Sequence, residues 1–332
     1  MTHFPAKLGA LLTIASFGIA AAGCSSPATG ASSDTKHSGT ASVAYASSLQ
    51  FLNEKIVSPA FTTAEGYAFS GRGASSGELS SEIAARVITP NVFEAVGGDN
   101  ITPLEPKFTR WYVQYAGTSM VVAYNPRSKY ASRFQAIASG KEPLKDLFTL
   151  METPGFKLGR TDPNIDPQGR DFVYMLELAQ SYYHLPANTV TKILGGPLAS
   201  ARSSEIYAES ALDATLQSGQ LDAASAFITQ AAELHLSYIP LPTAINLGSF
   251  ADAAQYKKAS ITITGNQTKH GSPQVIDITL TGKPTAAGIA FVRYTLSQAG
   301  LAEYRQGGFT VLTPTVSGDK SAIPRAIASE LP

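Results

Sequence analysis

Short apolar runs alternate with stretches of helical periodicity from residue 43 onward, and this restricts the chain to an α/β architecture with a largely parallel sheet. The first unit is Val43-Ala44-Tyr45, then Ala46-Ser47-Ser48, then a helix carrying Leu49, Leu52, Ile56 and Val57 on one face. The second is Tyr67-Ala68-Phe69, the turn Gly71-Arg72-Gly73-Ala74-Ser75-Ser76-Gly77, and a helix aligning Leu79, Ile83 and Val87. Ser75 followed by Glu78 fits a capping box. Within Trp111 to Tyr124, the run Ser119-Met120-Val121-Val122-Ala123-Tyr124 predicts a continuous apolar strand of the kind that crosses a hinge, broken by Asn125-Pro126. Phe156 to Arg160 leads into Thr161-Asp162-Pro163-Asn164-Ile165-Asp166-Pro167 and a helix burying Phe172, Met175, Leu176 and Ala179. Asp166 is its expected N-cap and Pro167 its first residue. No internal repeat interrupts the series.

The chain has a single cysteine among its 332 residues. An intramolecular disulfide is therefore ruled out, and the fold rests on its hydrophobic core. That cysteine, Cys24, follows Ala21-Ala22-Gly23 at the end of an apolar run from Leu8 to Ala22 that is preceded by Lys7. A run of this length suits a secretion signal and falls short of the roughly 20 residues of a membrane span. The site resembles a bacterial lipobox, with Ala21 in place of the more usual Leu. It implies a signal peptide over 1–23, a lipid on Cys24 and a place outside the cytoplasm; the alternative is a plain secreted protein with a free thiol. Ser25 to Ser42, rich in Ser, Thr, Gly and Ala, reads as a flexible tether over 24–42, with the folded body beginning near Val43. About 309 residues remain after the leader, enough for two lobes. Basic and acidic residues balance at 25 each, which excludes a nucleic-acid partner and a polybasic membrane arm.

A strand, a few small polar residues and a helix start together form an anion-binding design. Unpaired N–H groups and the positive dipole end face outward there, and small residues let an anion approach the backbone. For one serine-rich turn, plain N-capping is the better explanation; two such turns opening successive units strengthen the case for binding. Gly71-Arg72-Gly73 is not a dinucleotide loop, since Ser76 occupies the third glycine position and no suitable acidic residue follows.

The segment from Gly159 to Gly169, with Tyr182-Tyr183 downstream, resembles the G-x-x-D-P-N-x-D-P-x-G segment of molybdate/tungstate-binding proteins of ABC importers. Tyr45-Ala46-Ser47-Ser48 is similar to their Y-A-G-S opening, Ala74-Ser75-Ser76-Gly77 to their second serine loop, and Ser119 to Tyr124 to their central strand. Leu216-Gln217-Ser218-Gly219-Gln220-Leu221-Asp222-Ala223-Ala224 is similar to their L-x-S-G-x-L-D-A-A run. Tyr238 to Asn246 and Ala290 to Leu312 also fit.

The resemblance implies a type II periplasmic binding protein: two α/β lobes with mostly parallel sheets, joined by a hinge. One lobe is 43–120 plus 248–325 and the other 121–247. A tetrahedral oxyanion, molybdate or tungstate, would sit in the inter-lobe cleft, with sulfate, phosphate or an organic anion as alternatives. The partners implied are a cognate ABC permease and the membrane through the lipid anchor; the protein is expected to be a monomer, without a cofactor and without a metal beyond that of the ion.

Carried over by position, Ser48 and Ser76 are oxyanion donors, with Ser47 and Ser75 as near alternatives and Ser119, or the backbone around it, as a third candidate. Asp166 matches the aspartate that approaches the metal in the tungstate-binding branch. The partner glutamate of that branch should fall near Ala226, where no carboxylate is found. This puts two-carboxylate, six-coordinate binding in doubt and favours an ion held by hydrogen bonds alone. Tyr207, Thr229 and Tyr238 are unranked second-lobe donors. A bare carboxylate repels a dianion by about 1 kcal/mol at 4 Å in water and by more when desolvated. Asp166 must therefore coordinate the metal, accept the proton of hydrogen phosphate, or point away as a cap paired with Arg160 or Arg170.

An enzyme finds little support. His3, His37, His184, His235 and His270 are scattered without metal-ligand spacing, and no Gly-x-Ser-x-Gly elbow occurs. His184 reads as an exposed helix end, His235 as part of a helix-to-strand connection, and Asn266-Gln267-Thr268 as a strand-end turn. An adhesive or structural protein would show repeats or long polar tracts, and neither is present.

Overall fold

The computed structural model describes residues 37–196 and 205–332. The leader, Cys24 and most of the expected tether lie outside the described residues. In chain order the strands are β1 (Thr40–Ala46), β2 (Ala68–Ala74), β3 (Val92–Val96), β4 (Trp111–Gly117), β5 (Met120–Tyr124), β6 (Leu158–Gly159), β7 (Ala223–Phe227), β8 (Ser237–Pro240), β9 (Ser260–Ile263), β10 (Gln267–His270), β11 (Val275–Leu280) and β12 (Thr310–Gly318). One sheet has the order β12-β4-β11-β3-β1-β2 and a second β6-β7-β5-β8, while β9 and β10 form a separate hairpin. β1 opens at Thr40, ahead of the expected Val43. Thr40 and Ser42 are in register with Ala68 and Ser70 of β2, and the Ser42 N–H donates to Asn91 Oδ1 at 3.2 Å. The end of the expected tether is thus strand.

The two sheets of an α/β binding-protein fold are present, but they are mixed rather than mostly parallel. Among the named strands, β1–β2, β1–β3 and β6–β7 pair parallel, whereas β11 runs antiparallel to both β3 and β4, and β5 antiparallel to β7 and β8. Every residue of β3, β5, β7 and β11 is buried. A strand covered on both faces reads as a continuous apolar run whichever way it points, so the pattern could not reveal direction.

The chain leaves the first sheet at Gly117 and enters the second at Met120 through Thr118 and Ser119. The Thr118 and Thr229 hydroxyls lie 3.1 Å apart at this crossing, and Ile228 N donates to the Ser119 carbonyl at 2.9 Å. One apolar cluster, including Val43, Tyr45, Val113, Met120, Val122, Phe172, Phe227 and Phe291, runs from the first sheet through the crossing into the second. Burying each such side chain contributes roughly 1.5–3 kcal/mol. On the way back, residues 243–274 pack over the long helix Pro167–Tyr182, with Gln274 donating to Asp171 and Ser260 N to Glu177.

Local readings hold where the signal is local. Asp166 caps the Pro167–Tyr182 helix, with Pro167 in its first turn, and Phe172, Met175, Leu176 and Ala179 are buried. Ser75 caps the Ser76–Ala84 helix by accepting from Glu78 N at 3.3 Å. Asn266, at φ 57°, sits in the β9–β10 turn. His184 and His235 are exposed at helix ends.

Two readings fail. Val87 lies past the end of its helix and is 70% exposed, because Arg86 adopts φ 60° and turns the chain away. Gly71 and Gly73 lie within β2 and form no turn. The Tyr45 ring from β1 lies across them, so a Cβ on Gly71 would collide with the Tyr45 hydroxyl, and one on Gly73 would meet Gln50 Oε1 at 2.8 Å.

Candidate functional site

Ala46 of β1 is in register with Ala74 of the parallel strand β2. Hence Ser47-Ser48 and Ser75-Ser76 leave the sheet side by side at the same C-terminal edge, where ligands of open α/β sheets bind. Ser47–Leu49 forms a 3-10 turn and Ser76 opens a nine-residue helix. Ser48 and Ser76 are buried, 5% and 1% exposed, while Ser47 is half-buried.

The turn beside Ser48 is bolted to the sheet through Asn53, which donates to Glu94 Oε2 at 2.8 Å. Glu94 Oε1 also accepts from the Tyr115 and Tyr304 hydroxyls at 2.7 and 2.6 Å. Ser76 Oγ accepts from Val96 N at 3.1 Å. A hydroxyl has one donor and two acceptor positions, so this bond leaves the Ser76 proton free for an anion. Ser75 Oγ is the cap, accepting from Glu78 N, and by the same count its proton is also left free.

The segment before the long helix closes over this edge. Gly77 N donates to the Ile165 carbonyl at 3.1 Å, joining the start of the serine helix to the residue before Asp166. Asp166 is 5% exposed and its Oδ1 accepts from Gln168 N at 2.9 Å. Burial pushes its acid up to about 6, with the Gln168 N–H and the Arg170 charge pulling it back. Of the two arginines considered for it, Arg170 is the one whose charge acts on it. The Arg160 guanidinium is buried beside Glu205 and Asp162.

The second carboxylate is Glu209, which sequence reasoning passed over. It is 4% exposed at the first position of the helix Glu209–Gln217. Burial raises its acid well above the usual carboxylate range, and the charges of Asp166 and Asp213 add to this. The Ser48 N–H and the Gln230 side chain partly offset the rise. Glu209 therefore touches the first serine turn and feels Asp166 at once, bringing Ser48, Asp166 and Glu209 into one buried group, with Ser76 adjoining through Gly77 and Ile165.

At the position near Ala226 where the partner glutamate was expected, Ala226 is a fully buried residue of β7 paired with Val121, with no carboxylate. The carboxylate that lies beside Ser48 and Asp166 is instead Glu209, at the start of its own helix. Its sequence signal was only a Glu at a helix start, a position that usually faces solvent and favours the dipole.

Behind Glu209 stands a closed polar network. Gln168 Nε2 donates to Glu209 Oε1 and to Gln230 Oε1, both at 2.9 Å, and Gln168 Oε1 accepts from Ser225 Oγ at 3.0 Å. Gln230 Nε2 donates to Asp213 Oδ2 at 2.7 Å, and burial pushes the Asp213 acid up to about 7.

Ser119 lies between β4 and β5. It is half-buried at the crossing and packs on Gly248, where a Cβ would come within 2.6 Å of its own Cβ. Thr229 is engaged with Thr118, the Tyr207 backbone with Arg160, and Tyr238 of β8 pairs with Ala123 of β5. A separate groove of about 430 Å³, lined by Asp99, Arg170, Asp171 and Gln274 among others, excludes the serines, Asp166 and Glu209.

The family described as bacterial extracellular solute-binding protein matches residues 41–310. A protein of Haloferax volcanii is 34% identical over 168 residues, 51% of this chain and 50% of its own length. The molybdate/tungstate-binding protein WtpA of Pyrococcus abyssi is 30% identical over 236 residues, 64% of this chain and 65% of that protein. The matches thus span between half and about two thirds of these relatives' own length. Among solved structures, the periplasmic molybdate-binding protein of Azotobacter vinelandii superposes with a TM-score of 0.54 at 15% identity, covering 81% of this chain and 98% of that one, a likeness of fold. With four-fifths of its length matched and the two-sheet fold in place, the chain belongs to the bacterial extracellular solute-binding protein family.

Proposed function

We propose that the protein is the extracytoplasmic binding component of an ABC importer, held at the membrane by a lipid on Cys24, and that it takes a tetrahedral oxyanion, molybdate or tungstate, between lobes of 43–120 plus 248–325 and 121–247. The reading rests above all on one observation: the serine-bearing edge of β1 and β2 meets Asp166 and Glu209 in a single buried group. Ser48, Ser76 and the amino end of the Ser76–Ala84 helix offer donors and a positive dipole end to the oxygens of an anion. Asp166 and Glu209 have the opposite chemistry. In their ionised form two carboxylates repel a dianion, and in that form they suit one by donating to its electrophilic centre.

Molybdenum and tungsten accept further oxygen ligands; sulfur and phosphorus in their oxyanions do not. We therefore assign Asp166 and Glu209 to the metal and the serines to the oxo groups. The name of the Pyrococcus abyssi relative, a molybdate/tungstate-binding protein, supports molybdate or tungstate as the ion. The carboxylates also suit a second reading, in which they accept the proton of hydrogen phosphate.

Thermal-shift titration of the folded body with molybdate, tungstate, sulfate and phosphate separates the two. A ligand at ~100-fold its dissociation constant adds about 2.7 kcal/mol of stability. Molybdate and tungstate are expected to raise Tm. A shift with phosphate alone transfers the assignment to phosphate, and no shift with any of the four refutes an inorganic oxyanion as the cargo.

A further inference from the structure

We infer that Gln168 is the positioning residue that sets Asp166 and Glu209 to act on one ion, and that it thereby sets the preference for molybdate and tungstate over sulfate. The inference rests on the assignment of the carboxylate pair to the metal. Gln168 is 1% exposed and reaches both carboxylates: its backbone N–H donates to Asp166 Oδ1 and its side-chain amide to Glu209 Oε1, each at 2.9 Å.

The orientation of that amide is dictated by its surroundings. Its nitrogen faces two acceptors, Glu209 Oε1 and Gln230 Oε1, and its oxygen faces the Ser225 hydroxyl. Turning the amide over would set three oxygens against one another. Gln230 cannot relax to permit this, because its own nitrogen is held by Asp213 Oδ2. The chain Asp213–Gln230–Gln168 thus fixes where Glu209 stands without itself facing the ion.

A pair of carboxylates held in register adds two dative oxygen bonds to molybdenum or tungsten, with no electron transferred and no oxo bond broken. The same pair repels sulfate, whose sulfur takes no further ligand. Loosening Glu209 should therefore weaken molybdate binding and relieve the exclusion of sulfate together, which a general loss of structure would not do.

The test measures molybdate and sulfate affinity, and the X-ray absorption edge of bound molybdenum, in the wild type, Gln168→Leu and Ser225→Ala. In Gln168→Leu we expect molybdate affinity to fall at least 10-fold, sulfate affinity to hold or rise, and the spectrum to shift from six-coordinate toward tetrahedral. Ser225→Ala removes one oxygen that anchors the amide, and should move the same ratio in the same direction by a smaller factor, whether or not the leucine variant folds. A parallel fall for both anions, or an unchanged ratio and spectrum, overturns the role of Gln168. A wild-type protein that binds neither molybdate nor tungstate, or binds molybdate with a tetrahedral spectrum, refutes instead the assignment on which the inference rests.

Discussion

Gly77 offers the sharpest test of how this protein closes on a ligand. Its N–H donates to the Ile165 carbonyl at 3.1 Å, and a Cβ added to it would collide with that same carbonyl oxygen. The atom in the way is backbone, in the segment leading to Asp166, and cannot swing aside like a side chain. Gly77 sits in the first turn of the Ser76–Ala84 helix, so alanine is locally acceptable and gains up to about 1 kcal/mol of helix propensity. The cost therefore falls on the packing of the serine helix against the segment leading to Asp166.

Losing the hydrogen bond removes about 0.5–1.5 kcal/mol, and forcing a methyl into the packed contact costs about 1–3 kcal/mol. Together these make roughly 2–4 kcal/mol, or a loss of affinity of roughly 30- to 700-fold at 1.4 kcal/mol per tenfold. The assay is calorimetric titration of Gly77→Ala with whichever of the four anions shifts the wild type most, paired with small-angle scattering with and without that anion. The variant should bind weakly and fail to compact on adding the anion. Wild-type affinity with wild-type compaction would refute the idea that this contact locks the lobes.

Ser76→Ala should weaken anion binding by about 1.5–3 kcal/mol for the lost charge-assisted bond, and should also lower ligand-free stability by about 1–3 kcal/mol, since it strands the buried Val96 N–H. Ser48→Ala, measured beside it, should show the binding loss without that Val96 penalty. The pH dependence has a definite sign. Asp166, Asp213 and Glu233 are raised by burial to about 6, about 7 and about 8, so the folded chain holds protons that the unfolded chain releases. Their stabilisation is complete below the unfolded values near 4 and is lost as pH rises through 6, 7 and 8, with Asp166 alone contributing about 3 kcal/mol. Ligand-free Tm should thus fall from pH 5 to pH 8, and Glu233→Gln should flatten the upper part; a Tm that climbs over that range contradicts the burial of these acids. Tyr304→Phe removes a 2.6 Å donor from the fully buried Glu94 and should cost about 1.5–3 kcal/mol in denaturant unfolding, more than Tyr294→Phe, whose ring is only edge-packed on Phe61.

Some of this was written locally along the chain. Asp166-Pro167 announces a helix start because a side-chain acceptor and a residue lacking N–H suit the first turn and little else. The run from Met120 to Tyr124 announces a buried strand because five apolar residues in succession have no other use. Paired serines after two successive strands were legible as a common edge, and the parallel register of β1 and β2 sets them side by side.

Other features depend on what folding brings near. Strand direction is invisible when both faces are buried, so β11 and β5 read as members of parallel sheets. Gly71 and Gly73 looked like a turn because the Tyr45 ring that requires them belongs to another strand. Glu209 looked like an ordinary helix-opening carboxylate. Only the packing of its helix against Ser48 and Gln168 takes it out of water and sets it beside Asp166, and a sequence carries no local mark of that desolvation.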